Sequence, residues 1–227
     1  MANKSYEQYC PVALTLDAIG DRWTLLIVRE LLNGPQRYSD LQTSLPGIPP
    51  NLLASRLRDL ESDGLVERQT LPPPAARTVF ALTADGRDLE RVVRSLGRWG
   101  LRRLPPPEDD GDVEPGMAVR SGLLTFAQPR LADGGDRTWV VIFGDEPYTL
   151  FLESGRVRTQ RGRVERADVV ARIRPAALLR HRVAGEKGAR RSRPPVTFLE
   201  GSEEKVAEFE RVFDLAAPAP SAVTTPR

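Results

Sequence analysis

Residues 38–68, YSDLQTSLPGIPPNLLASRLRDLESDGLVER, read as a short helix, a turn, a second helix and the start of a strand. Ser39 suits an N-cap ahead of Asp40, Leu41 and Leu45, and Pro46-Gly47-Ile48 turns the chain. Pro49 and Pro50 fit an entry turn or the first positions of the next helix. There Leu53, Leu57, Leu60 and the exit residue Gly64 fall at i, i+4, i+7 and i+11, one face of a 3.6-residue period. Asn51, Ser55, Arg58 and Ser62 lie opposite, with Arg56 flanking. Short hydrogen-bonding side chains and guanidinium groups are the types that reach base edges and phosphates in a DNA major groove. Every amphipathic helix has a polar outer face, so the neighbouring sequence has to support this reading.

It does so through a hairpin. Leu65, Val66 and Arg68 begin a strand, the Pro-rich stretch 70–77 makes a tight loop, and residues 78–82, TVFAL, return as a second strand. A helix-turn-helix followed by a two-stranded hairpin is the winged-helix arrangement. Ser39, Asn51, Ser55, Arg56, Arg58, Arg68 and Arg77 are the candidate contacts to double-stranded DNA, each weighed against a plain solvated side chain.

Tyr9-Cys10-Pro11, LDAIGDRWTLLI at 16–27, RYSDL at 37–41, Arg56-Leu57, Leu60-Glu61, Gly64-Leu65-Val66 and LTADG at 82–86 resemble the HxlR-type winged-helix transcriptional regulators of bacteria. The resemblance covers about residues 6–104. It implies a dimeric DNA-binding repressor or activator, with the Asp21-Arg22-Trp23 corner packed against the helix-turn-helix. Relatives with a cysteine at the position of Cys10 include redox and electrophile sensors, which makes Cys10 a redox candidate; the alternative is an inert thiol near a dimer interface.

Composition bounds these readings. Residues 1–104 carry 14 basic and 12 acidic groups, and residues 105–227 carry 19 of each. DNA affinity therefore has to come from local placement of arginine and from doubling of sites in a dimer. Lysine occurs only at Lys4, Lys187 and Lys205, which fits a GC-rich coding bias as readily as phosphate recognition. No run approaches the ~20 apolar residues needed to span a bilayer, and the N-terminal MANKSYEQYC has no apolar signal core, so a cytoplasmic protein is expected. One cysteine forms no internal disulfide, and one histidine builds no His-rich metal site. No nucleophile elbow, Walker loop or dinucleotide fingerprint is present; His181 reads as solvated, and neither catalysis nor a cofactor is expected.

Upstream, residues 12–19 suggest a helix ending near Gly20, and residues 23–32 a second one stopped by Asn33-Gly34-Pro35. Leu89, Val92, Val93, Leu96 and Trp99 recur at helical spacing and are the candidate dimerisation stripe, packing back on the first helix being the competing reading. Residues 105–116, PPPEDDGDVEPG, read as a linker, and residues 217–227 as a disordered tail.

Between them, 117–216 reads as an α+β layer of sheet and helices. Strand-like runs at 138–143, 148–152 and 155–159, separated by GDEP and ESG, suggest an antiparallel meander, followed by a strand at 167–173. Pro175 opens a helix, 196–199 is a short strand, and Val206, Phe209, Val212 and Phe213 stripe a closing helix. The ESGRV turn, Ala167-Asp168-Val169, Ala177-Leu178-Leu179 and the Gly201-plus-helix unit ending in Val212-Phe213 are similar to the sterol-carrier-protein family, over about residues 117–215; the Arg-rich stretch 187–193 departs from its apolar pattern. The resemblance implies an apolar site for a hydrophobic small molecule. Trp139, Val141, Phe143, Phe151, Phe198, Phe209 and Phe213 are the candidate lining, with ordinary core as the alternative. Three function classes follow: a regulator with a ligand-sensing second domain, a lipid carrier whose winged helix is an interaction module, or a thiol redox switch working through Cys10. Buried or paired Arg56, Arg58 and Arg77 would favour the second.

Overall fold

A computed structural model of the chain describes residues 5–70, 77–186 and 196–215. The Pro-rich loop 71–76, the Arg-rich stretch 187–193 and the tail from 217 lie outside the described residues. The chain divides into two units, Met1–Val93 and Arg94–Arg227.

In the first unit, α1 (Pro11–Ile19) starts on a proline at its first turn and stops at Gly20, whose N–H donates to Leu16 O at 2.8 Å. α2 (Thr24–Leu31) follows a sharp corner in which Trp23 takes a left-handed backbone, φ 81°, an uncommon state for a bulky residue. α3 (Tyr38–Ser44) has Arg37 rather than Ser39 at its N-cap, because the Asp40 carboxylate three residues on accepts from the Arg37 N–H at 3.3 Å and supplies the capping acceptor itself. Ser39 lies inside the first turn. α4 (Pro50–Ser62) begins on Pro50, and its Leu53, Leu57 and Leu60 are buried as their spacing requires. It ends where Gly64 turns left-handed, φ 70°, and the Leu65 N–H reaches back to Leu60 O at 2.9 Å.

β1 (Val66–Thr70) and β2 (Thr78–Leu82) form the antiparallel hairpin, Val66 facing Leu82 and Thr70 facing Thr78. Thr83 caps the short α5 (Ala84–Asp88) by accepting from the Gly86 N–H at 3.1 Å, and its hydroxyl donates to Gly64 O at 2.6 Å. Gly86 has to be glycine, since a Cβ there would lie 2.0 Å from Leu65 O. Ile27, Val28 and Leu31 of α2, Leu41 and Leu45 of α3, the α4 leucines, Phe80 and Leu82 make one core.

The division between the units falls within α6 (Glu90–Leu101). The sequence assigns this helix wholly to the first domain. Instead Leu89 and Val93 pack on the first core, while from Arg94 onward the helix belongs with the second unit: Arg94 donates to Ala127 O, and Leu101 clusters with Phe126 and Val183. The expected linker is also docked. Arg180 donates to Pro107 O at 2.7 Å and Glu108 O at 2.8 Å, the Asp110 carboxylate accepts from the Ala176 N–H at 2.9 Å, and Val113 is in the main core. These carboxylate and carbonyl acceptors find donors on a later helix, which local Pro and Gly content does not reveal.

A short turn α7 (Pro115–Met117) runs into a π-helical stretch at Ala118–Leu123. The sheet comprises β3 (Arg137–Phe143), β4 (Glu146–Glu153), β5 (Arg156–Arg161), β6 (Val169–Ile173) and β7 (Val196–Glu200), in the order β5-β4-β3-β6-β7. The expected meander is β3-β4-β5; β6 then pairs parallel with β3, and β7 antiparallel with β6. A parallel return obliges the intervening chain to cross the sheet. It does so at residues 162–168, where Thr149 Oγ1 donates to Gly162 O at 2.7 Å and Arg163 reaches Glu200 on β7 at 2.7 Å.

α8 (Pro175–Glu186) and α9 (Glu203–Val212) complete the second unit, and the core-facing residues of the sheet and both helices form one cluster. Ser202 caps α9, with Glu203 and Glu204 at its positive end. Arg182 of α8 is 1% exposed, and its guanidinium donates to Gly122 O at 2.9 Å, Asp214 O at 2.8 Å and Phe213 O at 2.5 Å. It thereby satisfies carbonyls at the α9 C-terminus that a helix end leaves unpaired. Buried Glu208 accepts from the Asp133 N–H and from Arg137 Nε, both at 2.7 Å. His181 is half-buried on α8 rather than solvated, because neighbouring turns of this helix bury Leu178, Arg182 and Val183.

Candidate nucleic-acid interface

The outward face of α4 sorts its candidates by angle. At ~100° per residue, Arg58 stands roughly 130° from the centre of the buried Leu53-Leu57-Leu60 stripe and Arg56 roughly 70°. Arg58 is accordingly exposed, as are Asn51 and Ser62, and it has no ion-pair partner among the described residues. Arg56 is turned inward. Its side chain is only 19% exposed and bridges Asp21 at 2.9 Å and Asp59 at 2.7 Å. These pairs brace α4 against the Asp21-Arg22-Trp23 corner. Ser55 is half-buried, and Ser39 is exposed on α3 with its hydroxyl directed to Asp40 at 3.3 Å.

The wing arginines differ in the same way. Arg68 is held by Glu61 through two hydrogen bonds, Nε at 2.8 Å and Nη2 at 3.0 Å, and stacks 5.2 Å over the Phe80 ring. The hydrogen bond with Glu61, and then its charge, raise the Arg68 pKa further. That carboxylate takes the Nε–Nη2 edge of the guanidinium and offsets part of its charge toward a phosphate. Arg77, at the foot of β2, is exposed and unpaired among the described residues. Exposed Arg22, near Trp23 at 5.8 Å, is a further cation on this unit that helical spacing alone does not single out. The Tyr38 hydroxyl donates to Pro50 O at 2.7 Å and so fixes the start of α3 against the start of α4.

Of the dimerisation candidates, Leu89 and Val93 are occupied in the first core. Val92, Leu96 and Trp99, at i, i+4 and i+7, are 37%, 46% and 52% exposed and form one bare stripe, with Arg103 stacked on Trp99 at 3.5 Å. Tyr9, Val12, Leu14 and Leu16 at and before α1 are also exposed. Cys10 is the N-cap residue of α1, a half-buried free thiol.

In the second unit Trp139, Val141, Phe143, Phe209 and Phe213 are fully buried together. Trp139 meets Phe209 and Phe213 edge-on, at 5.8 and 5.2 Å between centroids, and Phe198 meets Phe209 at 6.1 Å. Phe151 does not share that face. Strand side chains alternate, and Phe151 sits between the core-facing Leu150 and Leu152, so it points to the other side of β4 and lies under Arg158 at 4.2 Å. Trp139 Nε1 is buried with no hydrogen-bond partner among the described residues.

Among the described residues no group of three or more His, Cys, Asp or Glu side chains could hold a metal ion, and no helix is long and apolar enough to cross a membrane.

Residues 18–108 match a family model described as HxlR-like helix-turn-helix. The chain is 33% identical over 100 residues to the Uncharacterized HTH-type transcriptional regulator YvaP of Bacillus subtilis (strain 168), covering 44% of this chain and 93% of that protein. It is 34% identical over 98 residues to the HTH-type transcriptional regulator YodB of the same organism, covering 43% and 88%. Among solved structures, the reduced form of YodB from B. subtilis is 31% identical with a TM-score of 0.38, over 44% of this chain and all of that one.

Proposed function

The chain belongs to the HxlR-like helix-turn-helix family of transcriptional regulators, and from that premise we propose a dimeric one-component regulator in which α4 reads operator DNA and the second unit binds a hydrophobic small molecule that changes operator affinity. The observation that carries the DNA reading is Arg58. It is exposed and, among the described residues, unpaired, on the face of α4 opposite the buried leucines, with exposed Asn51 and Ser62 beside it. Arg77 at the wing serves the phosphate backbone. With Arg58 and Arg77 unpaired among the described residues and Arg56 and Arg68 braced, the charge placement favours a DNA reader over a carrier whose winged helix is merely an interaction module.

Dimerisation rests on the bare Val92-Leu96-Trp99 stripe, supported by the exposed apolar residues of α1. Two copies would place two α4 helices for successive major grooves, about 34 Å apart. The ligand reading rests on the aromatic cluster between sheet and α9. It regulates only if the ligand prefers one arrangement of the paired recognition helices.

The test is binding of the full-length protein to DNA from its own upstream region, at two salt concentrations and against random competitor, then with a hydrophobic compound added. Specific binding that falls with salt, and responds to the compound, is expected. Binding no tighter to that DNA than to random sequence, with the dimer intact, would overturn the operator reading and favour the carrier.

A further inference from the structure

The second unit's interior contains a feature that an ordinary apolar core does not require. Trp139 is completely buried, in contact with Phe209 and Phe213, and its indole N–H has no acceptor among the described residues. A buried donor left unmade is costly, and tryptophan inside proteins normally finds a partner for its N–H. β3 could bury phenylalanine at this position without that cost.

The nearest buried cation does not compensate. Arg182 already donates to the carbonyls of Gly122, Phe213 and Asp214, and its guanidinium lies 4.0 Å over the Phe126 ring. It has little left to offer an ionised headgroup. The cluster's flank towards β7 and α9 is apolar as well: Phe198 and Val206, half-buried on those elements, pack against it.

The geometry points to a neutral, largely apolar ligand with a single hydrogen-bond acceptor, a ketone or ester oxygen, that takes the Trp139 N–H and enters along the β7–α9 seam. This rests on the reading of the second unit as a ligand sensor and narrows the ligand's chemistry. Carboxylates and phosphates are disfavoured because Arg182, the buried cation among the described residues, is already engaged. A pure hydrocarbon is disfavoured because it leaves the indole donor unmet.

The test uses two probes that differ in one carbonyl, octanophenone and octylbenzene, titrated calorimetrically into the full-length protein. The hydrocarbon is the more readily driven from water, so without a donor it should bind at least as well as the ketone. The inference expects the ketone to bind about tenfold more tightly, the gain of one buried hydrogen bond. In Trp139→Phe that preference should vanish while octylbenzene affinity is kept. The unsubstituted protein gives a second readout: one indole N–H resonance should move downfield with octanophenone and stay in place with octylbenzene. Equal binding of both probes, or no such resonance shift, overturns the acceptor assignment and leaves a ligand site standing. Binding of neither probe overturns the ligand site and this inference with it.

Discussion

Arg58→Ala and Arg56→Ala, two residues apart on α4, should separate reading from bracing. Arg58 is exposed and unpaired among the described residues, so its removal leaves the fold intact. A base-edge contact is worth about 1–3 kcal/mol, and a dimer makes it twice, so the loss on the specific site is about 2–6 kcal/mol. That is roughly thirty-fold to roughly twenty-thousand-fold in Kd. Arg56 is different. Its partners Asp21 and Asp59 are themselves 62% and 53% exposed, so each ion pair is screened and worth about 0.2–1 kcal/mol. Arg56→Ala should therefore lower the first unit's stability by about 0.5–2 kcal/mol, seen as a Tm shift of a few degrees. Its effect on Kd should be much smaller than that of Arg58→Ala. Fluorescence anisotropy with specific and scrambled duplexes, at two salt concentrations, reads the affinities, and thermal melts read the stability. Equal losses of specific affinity for the two variants would refute the angular assignment of the α4 face. A loss for Arg58→Ala of the same size on scrambled DNA would make Arg58 a phosphate contact.

Leu96→Glu places a charge in the middle of the bare α6 stripe and should convert the proposed dimer to monomer in analytical ultracentrifugation; a dimer that survives the substitution would move the interface off α6. Arg182→Met strands the carbonyls of Gly122, Phe213 and Asp214 and should cost the second unit about 3–5 kcal/mol in urea unfolding, with Arg182→Lys restoring only part. Burial works to raise the Asp168 pKa, but hydrogen bonds from Lys205 and the Thr138 N–H, with the Lys205 and Arg137 charges, bring it below the ordinary value. An ionised Asp168 thus adds stability above the unfolded value of about 3.9 that is lost as pH falls through the folded value. Asp168→Asn should be less stable than the parent at pH 7, and the gap should narrow below about pH 4; a gap independent of pH would remove the charge from the explanation. Cys10→Ser should abolish any response to oxidant while leaving operator affinity unchanged; an oxidant effect that survives the substitution acts elsewhere.

Much of this protein was legible because its elements are built from local patterns. The leucines of α4, the hairpin residues and the meander each carry their period within a few residues, and each element forms near its expected place. The misreadings also have physical causes. Ser39 looked like the cap because serine is a good one, but the Asp40 carboxylate supplied the acceptor. Phe151 was grouped with the core aromatics by type, although its position in the alternation puts it on the other face. Residues 105–116 have a linker's composition, yet Arg180 and the Ala176 N–H hold them in place.

The sequence by itself determined the winged helix and its outward face, because a 3.6-residue or two-residue period states which side of an element is buried. Tertiary structure alone decided which arginines are paired, where α6 changes allegiance, that β6 returns parallel to β3, and that Trp139 finds no acceptor among the described residues. Those outcomes depend on partners far along the chain, as with Arg182 and Gly122, 60 residues apart. Periodicity names a buried face but not the group that will meet it.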